Sequence, residues 1–245
     1  AFYGSIDPDG ALTPIPAVQD QAITTQGNDV RIPDALPNLI GEIALTAEIN
    51  LVAARVVSPS LRRILEMAVE PIVGGVVFGS PPEAIMHPLN PTPLDADESI
   101  NFEINSNPAA VGVHYGLIWL SDGPMAPVGG QMYSVRATAA ITLAAGVWVN
   151  GNLTFGQTLP AGRYQVVGLR ARGTNLVAAR LVFPGGTFRP GVPAVNTIGD
   201  LDADWFRYGK MGVFGEFEHT TPPTLDVLGV VDAVQNCVLD LVKIG

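Results

Sequence analysis

One hexapeptide is written twice in this chain. Asn50-Leu51-Val52-Ala53-Ala54-Arg55 returns letter for letter as Asn175-Leu176-Val177-Ala178-Ala179-Arg180. The separation, 175 − 50 = 125, is close to half of the 245 residues. Weaker matches flank both copies in the same order. Gly27-Asn28 leads to Leu36-Pro37, as Gly151-Asn152 leads to Leu159-Pro160. Val77-Phe78-Gly79 runs into Pro81-Pro82, as Val213-Phe214-Gly215 runs toward Pro222-Pro223. Ala110-Val111 opens an apolar run ending at Leu120, and Ala233-Val234 opens one ending near Ile244. The period is domain-sized, which excludes a solenoid of short repeats. The expectation is a diverged tandem duplication. The competing explanation is composition bias in a chain rich in Ala, Val and Leu.

Two halves of about 120 residues are each large enough to bury a core of their own. Composition bears on what surrounds them. Hydrophobic residues make up 47% of the chain and charged residues 15%, against about 25% charged in an ordinary soluble domain. So few charges imply that much of the surface is hidden against copies of the same chain. The net charge of −10, from 13 Lys+Arg against 23 Asp+Glu, argues against direct contact with nucleic acid, whose phosphates attract basic surfaces. Cys237 has no second cysteine to pair with. It sits in an apolar run, where a buried, inert thiol is expected.

Residues 1–26 carry Pro14 and Pro16, show no steady periodicity and contain no Lys or Arg. They read as an extended acidic arm that takes its order from a neighbouring molecule. The first domain is then expected over 27–125 and the second over 126–245. In the first, Ile43, Leu45 and Ala47 alternate with Ala44, Thr46 and Glu48. Leu51, Ala53 and Arg55 then oppose Val52, Ala54 and Val56, the period-two signature of strands. Ser58-Pro59-Ser60 before Leu61, Ile64, Leu65 and Ala68 predicts a helix capped by Ser58 and stopped by Pro71. A strand through Ile64 and Val69 is the alternative. Residues 81–98 read as a loop, and Phe102–Asn105 and Val111–Leu120 as strands.

In the second half Tyr133, Val135, Ala137, Ala139, Ile141 and Leu143 alternate with polar or small residues. Asn150-Gly151 predicts a hairpin turn between strand patterns at Trp148 and at Leu153/Phe155. Tyr164–Arg172 and Leu176–Phe183 predict a strand pair around Gly173-Thr174. Residues 184–204 read as a loop, and Val213–Phe217 as a strand. Residues 225–241 fit either a helix, through Leu228, Val231, Val234, Val238 and Leu241, or strands ending in Cys237–Ile244. Short strands between turns rich in Gly and Pro indicate an all-β protein. The expected architecture is two tandem jelly-roll β-sandwich domains related by internal duplication, preceded by the arm.

Catalytic patterns are missing. His87, His114 and His219 stand far apart, in no paired spacing, so the clustered histidines of a duplicated metal-dependent barrel are not there. The chain has no Gly-x-Ser-x-Gly elbow and no Walker-type phosphate loop. Its only lysines are Lys210 and Lys243. The expectation is a protein that is not an enzyme and binds no cofactor. The one metal candidate is Asp200-x-Asp202-x-Asp204, which opens like a calcium loop. Trp205 stands where an EF-hand needs its sixth-position Gly, and Met211 where it needs its twelfth-position Glu. The reading is therefore a looser calcium site at a subunit boundary, set against a solvated loop. Asp95, Asp97 and Glu98 read as solvated acids. Asn152-Leu153-Thr154 fits the glycosylation pattern. Trp119, Trp148 and Trp205 are candidates to line a sugar site, although Trp119 and Trp148 lie in strand patterns that read as core.

With these landmarks in view, the chain resembles the double jelly-roll major capsid proteins of tailless icosahedral viruses. The paired GN…LP…NLVAAR…VFG…PP series carries the resemblance. The stretches at Gly162-Arg163-Tyr164, Arg189-Pro190-Gly191 and Gly212-Val213-Phe214-Gly215-Glu216-Phe217 also look like phage structural proteins. The resemblance implies a homotrimer whose six jelly rolls tile a virion shell as a pseudo-hexamer. Its partners would be itself, neighbouring capsomers, and minor capsid proteins or an internal membrane. A tandem β-sandwich module binding carbohydrate or another extracellular ligand is the alternative.

Overall fold

The period-two patterns become strands in almost every case. The computed structural model describes residues 2–6, 10–18, 23–46, 51–62, 67–69, 85–106, 114–144, 146–172, 176–194, 205–229 and 235–245. The described residues up to Met125 form one compact unit, and those from Ala126 onward form another.

The first unit runs β1 (Phe2–Ile6), β2 (Thr13–Pro14), β3 (Thr24–Gln26), β4 (Asp29–Arg31), β5 (Asn38–Thr46) and β6 (Leu51–Val57). It continues through α1 (Pro59–Arg62), β7 (Met67–Val69), β8 (Ile85–Met86), β9 (Thr92–Pro93), β10 (Ser99–Ser106) and β11 (His114–Ser121). One antiparallel sheet has the order β1-β11-β5-β8, with β9 also on β5. The other has the order β3-β4-β10-β6-β7, with β2 also on β10. A single core joins the two sheets. Ala54 and Val56 of β6 and Ile100, Phe102 and Ile104 of β10 cluster with Leu39 and Ala44 of β5 and Ile118 of β11. Gly116 of β11 faces the Phe102 ring so closely that a Cβ there would lie 2.6 Å from it.

The second unit runs β12 (Met132–Ala139), β13 (Val149–Asn152), β14 (Thr154–Phe155), β15 (Arg163–Arg172) and β16 (Leu176–Val182). β17 (Gly191–Pro193), β18 (Gly215–Glu218), β19 (Thr224–Gly229) and β20 (Gln235–Lys243) follow. Its sheets have the orders β14-β12-β20-β15-β18 and β13-β19-β16-β17. Val135, Ala137, Leu169, Ala171, Leu239 and Leu241 are buried from the first sheet, and Val177, Ala179, Leu181, Leu225 and Val227 from the second. Both units are all-β sandwiches of antiparallel sheets.

Several expectations change. The described part of residues 1–26 pairs within the first unit instead of standing apart as an arm. Phe2 and Tyr3 pair with Leu117 and Gly116, and Thr24–Gln26 form a hairpin with β4. Ile15 is fully buried in the first core, and its N–H bonds to the Phe102 carbonyl at 2.9 Å. The apolar residues here are too widely spaced to show a period, yet Ile15 enters the core and Ala17 and Ile23 pack against it. The helix after Ser58 is described for one turn, Pro59–Arg62, and is over by Met67. Ser58 caps it as expected, its Oγ accepting from the Leu61 N–H at 3.2 Å. Met67–Val69 then return as a strand on β6, because pairing an existing ladder outweighs weak helix propensity.

Asn150-Gly151 is not a turn but the middle of β13, opposite Asp226 and Leu225. β15 and β16 are consecutive but lie in different sheets, so they are not a pair. Within 225–241 the described residues are strand, not helix.

Gly116→Val should destabilise the first unit by about 1–3 kcal/mol through overpacking against Phe102. Gly123→Val, where no atom lies within 4 Å of the added carbon, should stay within about 0.5 kcal/mol. Urea denaturation of both variants checks the contrast.

Candidate functional site

The two copies of the hexapeptide do the same thing. In each, period two sends the alanine before the arginine and the apolar residue after it into the core. The arginine therefore lies on the opposite face of its sheet. Arg55 of β6 stands opposite Glu103 of β10, with Nε donating to Oε2 at 2.6 Å. Arg180 of β16 stands opposite Asp226 of β19, with Nε donating to Oδ2 at 2.9 Å. The second pair is the more buried and is built up further. The Arg180 guanidinium lies 4.0 Å over the Trp148 ring, a cation–π contact. The Asn150 side-chain amide donates to Asp226 Oδ1 at 2.6 Å.

A third arginine closes the opposite sheet. Asp240 of β20 is completely buried, on the face away from Leu239 and Leu241. Arg207 donates to it twice, from Nε to Oδ2 at 2.6 Å and from Nη2 to Oδ1 at 2.9 Å. Ser134 Oγ donates to Oδ1 at 2.7 Å and the Tyr208 N–H to Oδ2 at 2.9 Å. Each carboxylate oxygen thus accepts two bonds. Burial alone would raise the Asp240 pKa. The bonds from Arg207, Ser134 and Tyr208 outweigh it and hold the carboxyl below its ordinary value. Residue 168 opposite it is glycine, because a Cβ there would collide with the carboxylate. The segment bearing Arg207 is laid down by backbone bonds from Leu169 N–H to Phe206 O and from Gly209 N–H to Val167 O. Tyr208 takes a left-handed φ of 55° to present its N–H. This is a structural clamp rather than an acid poised for proton transfer.

The first unit holds a titratable pair. Glu42 of β5 is 1% exposed, and its Oε2 lies 3.2 Å from His87 Nε2. Its Oε1 is buried without a hydrogen-bond partner among the described residues. The bond to Glu42 raises the His87 pKa, against an opposing effect of burial.

The candidates named from sequence are scattered. Asp200, Asp202 and Asp204, with the calcium site expected of them, lie outside the described residues. Among the described residues, no group of three or more His, Cys, Asp or Glu is placed to hold a metal. His114 is fully buried in β11, while His219 exchanges bonds with the Gly162 backbone. Asp97 and Glu98 are more than solvated acids. Asp97 pairs with Arg31 at 2.5 Å. Glu98 accepts from the N–H groups of Ser60 at 2.9 Å and Asp95 at 3.0 Å. Within Asn152-Leu153-Thr154 the central leucine is buried. Trp148 is occupied by Arg180, and Trp205 is 39% exposed. Cys237 is buried, and desolvation pushes its thiol pKa up to about 12. A shallow cleft beside β12 and β14 is lined by Ser134, Arg136, Thr138, Thr154, Phe155 and Gln157. Sequence reasoning missed the clamps; the arginine that ends each hexapeptide was a visible signal for two of them, and Arg207 carried none. No protein-family model, curated protein or solved structure matches this chain.

Arg207→Met should destabilise the second unit by about 3–5 kcal/mol, since it strands a buried carboxylate. A carboxyl held below its ordinary value of 3.8 stabilises above that value and loses the contribution as pH falls through the lowered one. The gap between wild type and Arg207→Met in denaturant titrations should therefore shrink under acid. The His87 contribution has the opposite sign. It is fully present below 6.5, the ordinary histidine value, and is lost as pH rises through the raised one. Thermal melts should show wild type ahead of His87→Gln at mildly acidic pH and the two converging at alkaline pH.

Proposed function

We propose that this chain is a structural shell protein, a double jelly-roll major capsid protein that acts as a homotrimer in a virion and catalyses no reaction. The observation that carries this reading is the strand order of the two units. Taken in chain order, β1, β4, β5, β6, β7, β8, β10 and β11 correspond to β12, β13, β15, β16, β17, β18, β19 and β20. The sheet path β1-β11-β5-β8 then maps onto β12-β20-β15-β18, and β4-β10-β6-β7 onto β13-β19-β16-β17. Eight strands in two such sheets are the pattern of a jelly roll built from two Greek keys. A tandem duplication accounts for the match at a finer scale. The repeated hexapeptide falls on β6 and β16, and Leu36-Pro37 and Leu159-Pro160 each shortly precede an equivalent strand. Arg55–Glu103 and Arg180–Asp226 occupy equivalent strand pairs.

Function follows from the fold together with composition. A chain with 15% charged residues is suited to burying its sides against copies of itself, and obligate interfaces of roughly 2,000 Å² or more absorb such surface. Minor capsid proteins or an internal membrane would complete the shell, without direct contact with the genome. A carbohydrate-binding module on the same scaffold gains nothing from Trp148, whose ring face Arg180 already covers.

Light scattering of the purified protein should give three times the 25.7 kDa chain mass or more, and electron micrographs of the native source should contain shells built from it. A monomer that persists at micromolar concentration would overturn the reading.

A further inference from the structure

The two units differ sharply in charge. Residues 1–125 hold 15 acidic and 4 basic side chains, a net of −11, whereas residues 126–245 hold 8 and 9, a net of +1. Internal pairing sharpens the contrast. In the second unit Asp226, Asp240 and Glu216 are held by Arg180, Arg207 and Arg163. In the first unit Arg31 and Arg55 are taken up by Asp97 and Glu103, while Asp34 and Asp122 stay exposed. The first unit is therefore the strongly acidic one, and the second is close to neutral.

Two of the second unit's exposed arginines have a definite place. Along β12, Val135, Ala137 and Ala139 point into the core, so Ser134, Arg136 and Thr138 point out, and all three are exposed. Arg136 stands opposite Val238 of β20. On the far side of β20, exposed Arg172 of β15 stands opposite Asn236, two residues along. The two arginines flank the central strand, about 10 Å apart across the sheet. Neither has an ion-pair partner among the described residues.

We infer that the outer face of β12, β20 and β15, through Arg136 and Arg172, docks on the acidic first unit of a second copy of this chain. The inference deepens the shell reading and rests on it. Charge complementarity selects the occupant. A chain of net −10 repels a phosphate polymer as a whole, whereas its own first unit offers −11 at equal stoichiometry. A contact between unlike units is heterologous, so it repeats from copy to copy and makes a ring where the rotation closes. Opposed potentials fix which face meets which and speed encounter, and salt screens them.

Sedimentation velocity on the whole chain tests this with two double variants. Arg136→Glu/Arg172→Glu should weaken self-association at least tenfold, and wild-type association should itself weaken as salt rises. Arg136→Lys/Arg172→Lys should associate like wild type. Both positions are exposed, so the circular dichroism spectrum of each variant should match wild type. The lysine variant also supplies amines for zero-length carbodiimide cross-linking. In a mixture of isotopically heavy and light chains, links between copies should map to carboxylates within residues 1–125. Links confined to one chain, or to residues 126–245, overturn the docking. So does self-association untouched by Arg136→Glu/Arg172→Glu, including the case where that variant loses binding to anionic vesicles instead. An associated wild type indifferent to these changes defeats the docking face alone. A wild type that never associates defeats the shell reading with it.

Discussion

Each unit depends on one strand that reaches across its whole length of chain. In the second unit β20 lies between β12 and β15, pairing Tyr133 with Leu241 on one side and Leu169 with Leu239 on the other. In the first unit β11 lies between β1 and β5 in the same way. Until that strand arrives, the sheet is two fragments with open edges, and the apolar residues behind it have nothing to close against. The loop that must close is long, so these sandwiches form slowly. Once formed, the middle strand cannot leave without breaking two ladders together. The same topology that delays folding protects the finished unit.

Where a segment covers part of a sheet's outer face it creates a second problem, that of the polar side chains that period two assigns there. Asp226 and Asp240 are both buried there. An unpaired carboxylate in such a place would be driven to its neutral form. Arg207 prevents this at Asp240, and Arg180 bonds Asp226, each through a guanidinium whose geometry suits a carboxylate. These two arginines are thus tied to sheet architecture.

The sequence was informative about faces and poor about neighbours. Alternation at Val135, Ala137 and Ala139, or at Ala54 and Val56, identified the buried side of β12 and β6 because a period of two is a local property. Nothing local says which strand lies alongside. β15 and β16, close in sequence, read as a pair yet belong to different sheets. Asn150-Gly151 carried the strongest turn signal in the chain, yet Asn150 instead bonds to Asp226, a residue 76 positions away. The Arg207–Asp240 clamp spans 33 positions and was invisible for the same reason. Residues 1–26 misled differently, since Ile15 enters the core from a segment with no period. The repeat itself was legible because identity between distant segments is a non-local signal that can be read without knowing the fold.

Cys237 has a consequence beyond its own packing. Oxidants and exchange partners attack the thiolate, and desolvation keeps this thiol protonated far above neutral pH. The chain holds no other cysteine. While the second unit stays folded, this thiol therefore gains no disulfide from an oxidising medium and loses none in a reducing one. The fold is insensitive to redox potential at this position, and whatever undoes it must act on charge, burial or packing.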